Sequence, residues 1–224
     1  ALSSAASDVY KRQISYNFGS DGALQQGSGK NGIDVSSHQG NIDWASVKAA
    51  GINFAIIRVG YRGSQTGALV EDSCFKKNIQ GATANGINVG VYFFTQATTE
   101  AEAVEEASMA LTLCSGYNLS YPIFVDTENG SGAARANGLD KGTRTACVAA
   151  FCKTIANGGR KAGVYASKSW YNNKIDASAF SNYFIWVAQY NTTCNYKGKY
   201  NMWQYSSKGS VPGIKGNVDV NIAY

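Results

Sequence analysis

The chain has 224 residues, of which 44% are hydrophobic and 16% charged. That composition supplies one sizeable core and excludes general disorder, while 2 prolines among 25 glycines exclude proline-rich linkers and collagen. The net charge of +5 is compatible with an anionic partner, but no basic run of the nucleic-acid type occurs. The longest apolar runs, Phe54–Ile57 and Val89–Phe94, fall far short of the ~20 residues of a membrane span, so no membrane insertion is expected.

Residues 1–31 are rich in Ser, Ala, Gly and Gln and lack a sustained period; they read as a tail or linker. Neither an initiator Met nor a basic-then-apolar block opens the chain, so it is expected to begin partway into a longer precursor. Within the tail, Tyr16–Gly22 faintly resembles the aromatic–Asp–Gly hairpin of bacterial wall-binding repeats.

From Gly32 onward eight short apolar runs recur: Ile33–Ser36, Phe54–Val59, Val89–Thr95, Ile123–Val125, Gly163–Ala166, Phe184–Ala188, Met202–Tyr205 and Val218–Ile222. Gly, Asn or Asp bounds most of them, as strands require. Several are apolar on both faces, which suits parallel strands covered by helices. Helical patterns fill the early gaps. Trp44–Ala50 follows Asp43 as N-cap, Asp72–Ala84 ends near Asn85–Gly86, Thr99–Cys114 opens with the capping-box pair Thr99 and Glu102, and Asp140–Ala156 ends at Asn157–Gly159. The late gaps, from Tyr190 to Met202 and from Tyr205 to Val218, are too short for a crossover with a full helix. The expected fold is therefore α/β: an irregular, TIM-like β/α barrel of eight strands over residues 32–224, with helices short or missing between the last strands.

The five cysteines, Cys74, Cys114, Cys147, Cys152 and Cys194, include no CxxC, and His38 is the single histidine. A Cys/His zinc site is not expected. Cys147 and Cys152 lie five apart on a predicted helix and point to different faces, so they read as buried thiols rather than a bridge. His38 reads as a loop hydrogen-bonding residue.

With 15 carboxylates, each can be placed. Glu71, Asp72, Glu100, Glu102, Glu105, Glu106 and Asp140 fall at helix starts or on faces expected to be exposed, where dipole and solvent account for them. Asp34, Asp126, Glu128 and Asp219 instead lie within or at the ends of apolar strands, where an unpartnered carboxylate is costly. In a parallel barrel the carboxyl ends of the strands meet at one mouth. Four acids there would raise each other's pKa and leave one protonated near neutrality, the division of labour that glycosidic bond cleavage needs. Two other readings stay open at this point: bonding of strand-end amides, and a divalent-cation site. An excess of Tyr and Trp over Phe, with 14, 4 and 9 residues, suits a sugar groove, although the same rings serve cores.

The segments Gly32–Gly40 (GIDVSSHQG), Ile56–Tyr61 (IIRVGY), Asp126–Glu128 (DTE), Trp203–Ser206 (WQYS) and Val218–Asn221 (VDVN) resemble, in order, the glycoside hydrolase family 25 lysozymes. The resemblance spans about Gly32 to Tyr224. It implies a muramidase hydrolysing the β-1,4 bond between N-acetylmuramic acid and N-acetylglucosamine in peptidoglycan, with Glu128 as general acid. Asp126 would stabilise the transition state or orient the substrate acetamido group, and Asp34 and Asp219 would line the same site. Net retention with the acetamido oxygen as nucleophile is implied, without metal or organic cofactor. The expected partner is the peptidoglycan glycan strand, met by an extracellular or wall-associated monomer. Arg58, paired with Asp34 or Asp126 or meeting substrate, and Tyr92, Tyr165, Trp186, Gln189 and Trp203 are the candidate substrate contacts. A hydrolase of another N-acetylglucosamine polymer such as chitin, and an inactive wall-glycan-binding module, are the alternatives.

Overall fold

The computed structural model describes residues 29–224; the stretch Tyr16–Gly22 lies outside them. Strands β1 (Lys30–Val35), β2 (Phe54–Arg62), β4 (Asn88–Phe94), β5 (Ile123–Asp126), β6 (Ala162–Ser167), β7 (Phe184–Ala188), β8 (Met202–Gly209) and β9 (Val218–Ala223) form a closed ring. They correspond one for one to the eight apolar runs. The first begins at Lys30, inside the stretch expected to be tail, because Lys30 and Asn31 pair with Ala223 and Ile222. A short strand β3 (Leu69–Glu71) hangs on the outer end of β2, too brief for its alternation to stand out.

The ring is parallel from β1 through β2 and β4 to β8, whereas β9 runs against both of its neighbours, β8 and β1. An all-parallel barrel would have put the start of the last strand at the opposite end of the molecule.

Helices α1 (Trp44–Ala49), α2 (Phe75–Ala84), α3 (Glu100–Leu113) and α4 (Lys141–Asn157) cover the outside, with a short α5 (Lys168–Asn173) after β6. The connections β7–β8 and β8–β9 carry no helix, as their length requires. Side-chain caps hold the helix starts: Asp43 accepts from the backbone of Ala45 and Ser46, Thr99 from Glu102, and Asp140 from Thr143. Helix α2 starts at Phe75 rather than Asp72, whose side chain is engaged elsewhere.

Alternation along the strands divides the core in two. Outward residues such as Ile33, Ile57, Val91 and Val164 pack under the helices. Inward residues Phe54, Ile56, Phe124, Tyr165, Trp186 and Met202 fill the barrel. The filling is aromatic: Phe124 meets Trp186 at 5.1 Å and Phe184 at 5.6 Å, and Phe54 stacks on Tyr121 at 4.6 Å between centroids. Such rings fit because glycines face them; a Cβ on Gly32 or Gly163 would sit 2.2 Å or 2.4 Å from a ring atom of Phe54 or Phe124. All five cysteines are free thiols, and Cys114, Cys147 and Cys152 are buried.

Gly163→Ala should therefore destabilise the fold by about 1–3 kcal/mol through overpacking, read as a lower denaturation midpoint without a change in slope.

Candidate active site

At the carboxyl end of the parallel strands the aromatic filling gives way to polar side chains. Asp34 of β1 stands directly opposite Asp219 of β9 in the antiparallel register. Asp126 ends β5, and Glu128 follows two residues later on the lip. Together with Arg58, Tyr92, Tyr165 and Trp186 these four acids line one cleft of about 380 Å³. Of the six candidate substrate contacts, Arg58, Tyr92, Tyr165 and Trp186 face this cleft.

Trp203 and Gln189 do not. Trp203 belongs to the outer core, beside Cys194 and Tyr200 of the β7–β8 connection, its indole N–H donating to the Gln189 carbonyl at 2.8 Å. Strand parity accounts for this, since its neighbour Gln204 faces inward. The Gln189 amide is used within its own loop, donating to Asn195 Oδ1 at 2.9 Å and accepting from the Asn195 backbone at 3.1 Å.

Gln204, Asn221 and Tyr190 were missed, and they organise the floor. The Trp186 indole can only donate, and it donates to Asn221 Oδ1 at 2.8 Å. The Asn221 amide nitrogen must then face the other way, and it donates to Asp34 Oδ2 at 2.8 Å. Gln204 Nε2 donates to the same oxygen at 2.8 Å, while Gln204 Oε1 accepts from Tyr165 and Tyr190 hydroxyls at 2.8 and 3.0 Å. The signal was available: Gln204 and Asn221 are inward-parity amides in apolar strands, each inside a motif already singled out.

Arg58 is not paired with Asp34 or Asp126. Its Nε donates to Asp72 Oδ2 at 2.7 Å and its terminal nitrogen to Ser37 Oγ at 3.1 Å. Asp72, expected at an exposed helix start, is buried and also accepts from the backbone of Ser37 and Cys74. Glu106 likewise lies fully buried on α3, accepting from Arg62 Nε at 2.9 Å and the Gln96 backbone at 3.3 Å. Neither acid's place is set by solvent. His38 sits in the turn Ser37–Gln39 at the cleft wall, its backbone N–H bound by Ser36 Oγ.

The loop carrying Glu128 is anchored along its length. Asn137 bridges Gly130 and Gly132, and Arg135 makes a two-pronged pair with Glu102 at 2.8 and 3.0 Å. Burial works against ionised Glu102, but hydrogen bonds from Arg135 and Thr98 outweigh it and hold the carboxyl at about 2. Arg144 of α4 donates to the Ala136 carbonyl at 2.7 Å.

Electrostatics then divide the acids. Burial and the Asp219 charge push Asp34 up, and the two amide donors oppose that push. Burial, followed by Glu128 and Asp34, pushes Asp126 well above the usual carboxylate range, with Arg58 pulling it back. Burial raises Asp219 to about 6. Glu128 reaches solvent through the open mouth, yet the surrounding walls displace enough water that desolvation, helped by Asp219, lifts it to about 7. Asp126 Oδ1 is buried and has no hydrogen-bond partner among the described residues. No group of His, Cys, Asp and Glu among the described residues is arranged to hold a metal ion.

Residues 33–214 match the model of the glycosyl hydrolases family 25. The chain belongs to this family of glycoside hydrolases. It is 30% identical over 204 residues to lysozyme M1 of Streptomyces globisporus, covering 87% of this chain and 67% of that one. It is 28% identical over 191 residues to an autolytic lysozyme of Clostridium acetobutylicum, covering 85% and 54%. Among solved structures, the modular autolysin LytC of Streptococcus pneumoniae superposes with a TM-score of 0.79 at 30% identity, over 88% of this chain and 48% of that one. The chain thus spans between about half and two thirds of these relatives.

Asn221→Leu should strand both the Trp186 N–H and one Asp34 donor contact. The expected loss is about 1–3 kcal/mol, the cost of a buried group left unsatisfied, measured by denaturant unfolding at neutral pH.

Proposed function

We propose that this chain is a muramidase that cleaves the β-1,4 bond between N-acetylmuramic acid and N-acetylglucosamine in peptidoglycan, with Glu128 as the general acid. The observation that carries the reading is the elevation of Glu128 to about 7 on the lip of a cleft shared with three further carboxylates. A carboxyl there still holds its proton near neutrality and remains within reach of a ligand.

Glu128 gives its proton to the leaving glycosidic oxygen. The acetamido oxygen of the sugar attacks its own anomeric carbon from the other face, and water then opens the resulting ring with Glu128 accepting the proton. Asp126 takes the acetamido N–H on the oxygen that otherwise lacks a partner. Asp34, fixed by Gln204 and Asn221, and Asp219 stabilise positive charge developing at the sugar. Tyr92, Tyr165 and the exposed ring of Tyr190 face or flank the sugar. Trp186, only 1% exposed, supports them from beneath. The family relationship to lysozymes supports wall glycan as substrate and the wall as the place of action.

Glu128→Gln should lower the rate about 10²–10⁴-fold while the fold and wall binding persist. Labelling of new reducing ends after digestion should reveal N-acetylmuramic acid. N-acetylglucosamine at those ends would reassign the enzyme as a glucosaminidase, and retention on walls without released sugar would make it a binding module.

The pH profile supplies a separate check. Activity should decline as pH rises through about 7, where Glu128 loses its proton. Asp219→Asn removes a negative charge that disfavours Glu128 ionisation, so that alkaline limb should move to lower pH. A limb that stays in place would reject the coupling.

A further inference from the structure

The charges of this chain are segregated around the barrel. Residues 141–224, which form α4 and β6 to β9, contain eleven Lys and Arg against two Asp and no Glu. Residues 29–140 contain seven basic and eleven acidic side chains. Every ion pair found among the described residues joins partners between Arg58 and Arg135. Sheet order makes β6 to β9 one continuous wall of the barrel, and apart from the buried Arg144 the cations of this half are exposed or half-buried and join no ion pair among the described residues.

A second cleft of about 400 Å³ opens on this side. Pro122, Lys161 and Phe184 mark it as lying at the amino-terminal ends of β5, β6 and β7, the end of the barrel opposite the acids. Arg160, Lys161, Asn182, Tyr183 and Asn201 supply its polar lining, and no carboxylate lines it. Arg160 is held in place by donating one terminal nitrogen to the carbonyls of Cys114 and Tyr117 at 3.1 and 3.2 Å. Two cations beside amide and phenol donors form a recognisable receptor for phosphate oxygens.

We propose that this cleft, with the basic wall around it, binds a phosphodiester polymer carried on the bacterial wall. The choice of partner rests on the wall-glycan reading, but the site does not depend on the catalytic cleft. A phosphate chain held at one end of the barrel leaves the acid-lined mouth free for glycan at the other. The contact adds retention within the wall rather than rate, and it weakens with salt.

The test uses the full chain and isolated Gram-positive walls, native or stripped of phosphodiester polymer by hydrofluoric acid. Lys161 and Asn182 are exposed, so Lys161→Glu/Asn182→Asp should fold. Lys48→Glu/Lys77→Gln makes the same change in net charge on the other side of the barrel. Co-sedimentation should show the cleft variant binding native walls about tenfold more weakly, an effect of a few lost phosphate contacts. The Lys48/Lys77 variant should stay within about twofold of the parent, and the parent itself should bind stripped walls as weakly as the cleft variant does. All three should cleave soluble glycan fragments alike. Equal weakening in both variants, or equal binding of the parent to native and stripped walls, would overturn the proposal. Failure of the parent to cleave the soluble fragments would instead remove the muramidase assignment.

Discussion

Closing a barrel with a strand that opposes its neighbours reverses which end of that strand reaches the mouth. In β9 the second residue is Asp219, and the antiparallel register sets it against Asp34, near the end of β1. Directly opposed residues in such a pair have Cα atoms about 4.5–5.5 Å apart. The two carboxylates therefore face one environment because of strand direction, and there the Asp219 charge adds to burial in raising Asp34 and Glu128. Had β9 run parallel, Asp219 would lie at the amino-terminal end of the barrel, away from Asp34, Asp126 and Glu128.

Beneath the acids, the aromatic interior does more than fill space. Trp186 packs against Tyr92, Phe124 and Tyr165, which fixes its indole plane. The direction of its N–H then sets the orientation of Asn221, and Asn221 sets the oxygen of Asp34 that accepts. Packing is thereby converted into electrostatics through one donor-only group. The glycines that make room for the rings belong to the same chain of causes.

Apolar runs bounded by turn residues make all eight barrel strands legible in the sequence, cap residues do the same for the short α1 and the longer α2, α3 and α4, and gap length alone foretells the missing late helices. What stayed hidden was non-local. Strand direction leaves no mark on a segment as short as Val218–Ala223. The Arg58–Asp72 and Arg62–Glu106 pairs join residues 14 and 44 apart, so their burial could not be inferred from helix position. The four acids were found because carboxylates in apolar strands are costly, and the same reasoning applied to amides would have found Gln204 and Asn221. Trp203 misled because aromatic identity was weighed without parity against its inward neighbour.

Burial alone does not assign roles to the acids. Asp34 and Asp126 are both nearly inaccessible, at 6% and 5% exposure, yet their surroundings differ. One oxygen of Asp34 accepts two amide donors, an arrangement that a proton on that oxygen would break. Asp126 has an oxygen with no donor at all among the described residues. The first oxygen is consequently committed to the floor of the cleft, and the second is left without a donor. Glu128 differs from both in standing where water enters, so its carboxyl exchanges protons with the open cleft. The cleft distributes its tasks by which donors have been supplied to each carboxylate, and depth matters through the donors it permits.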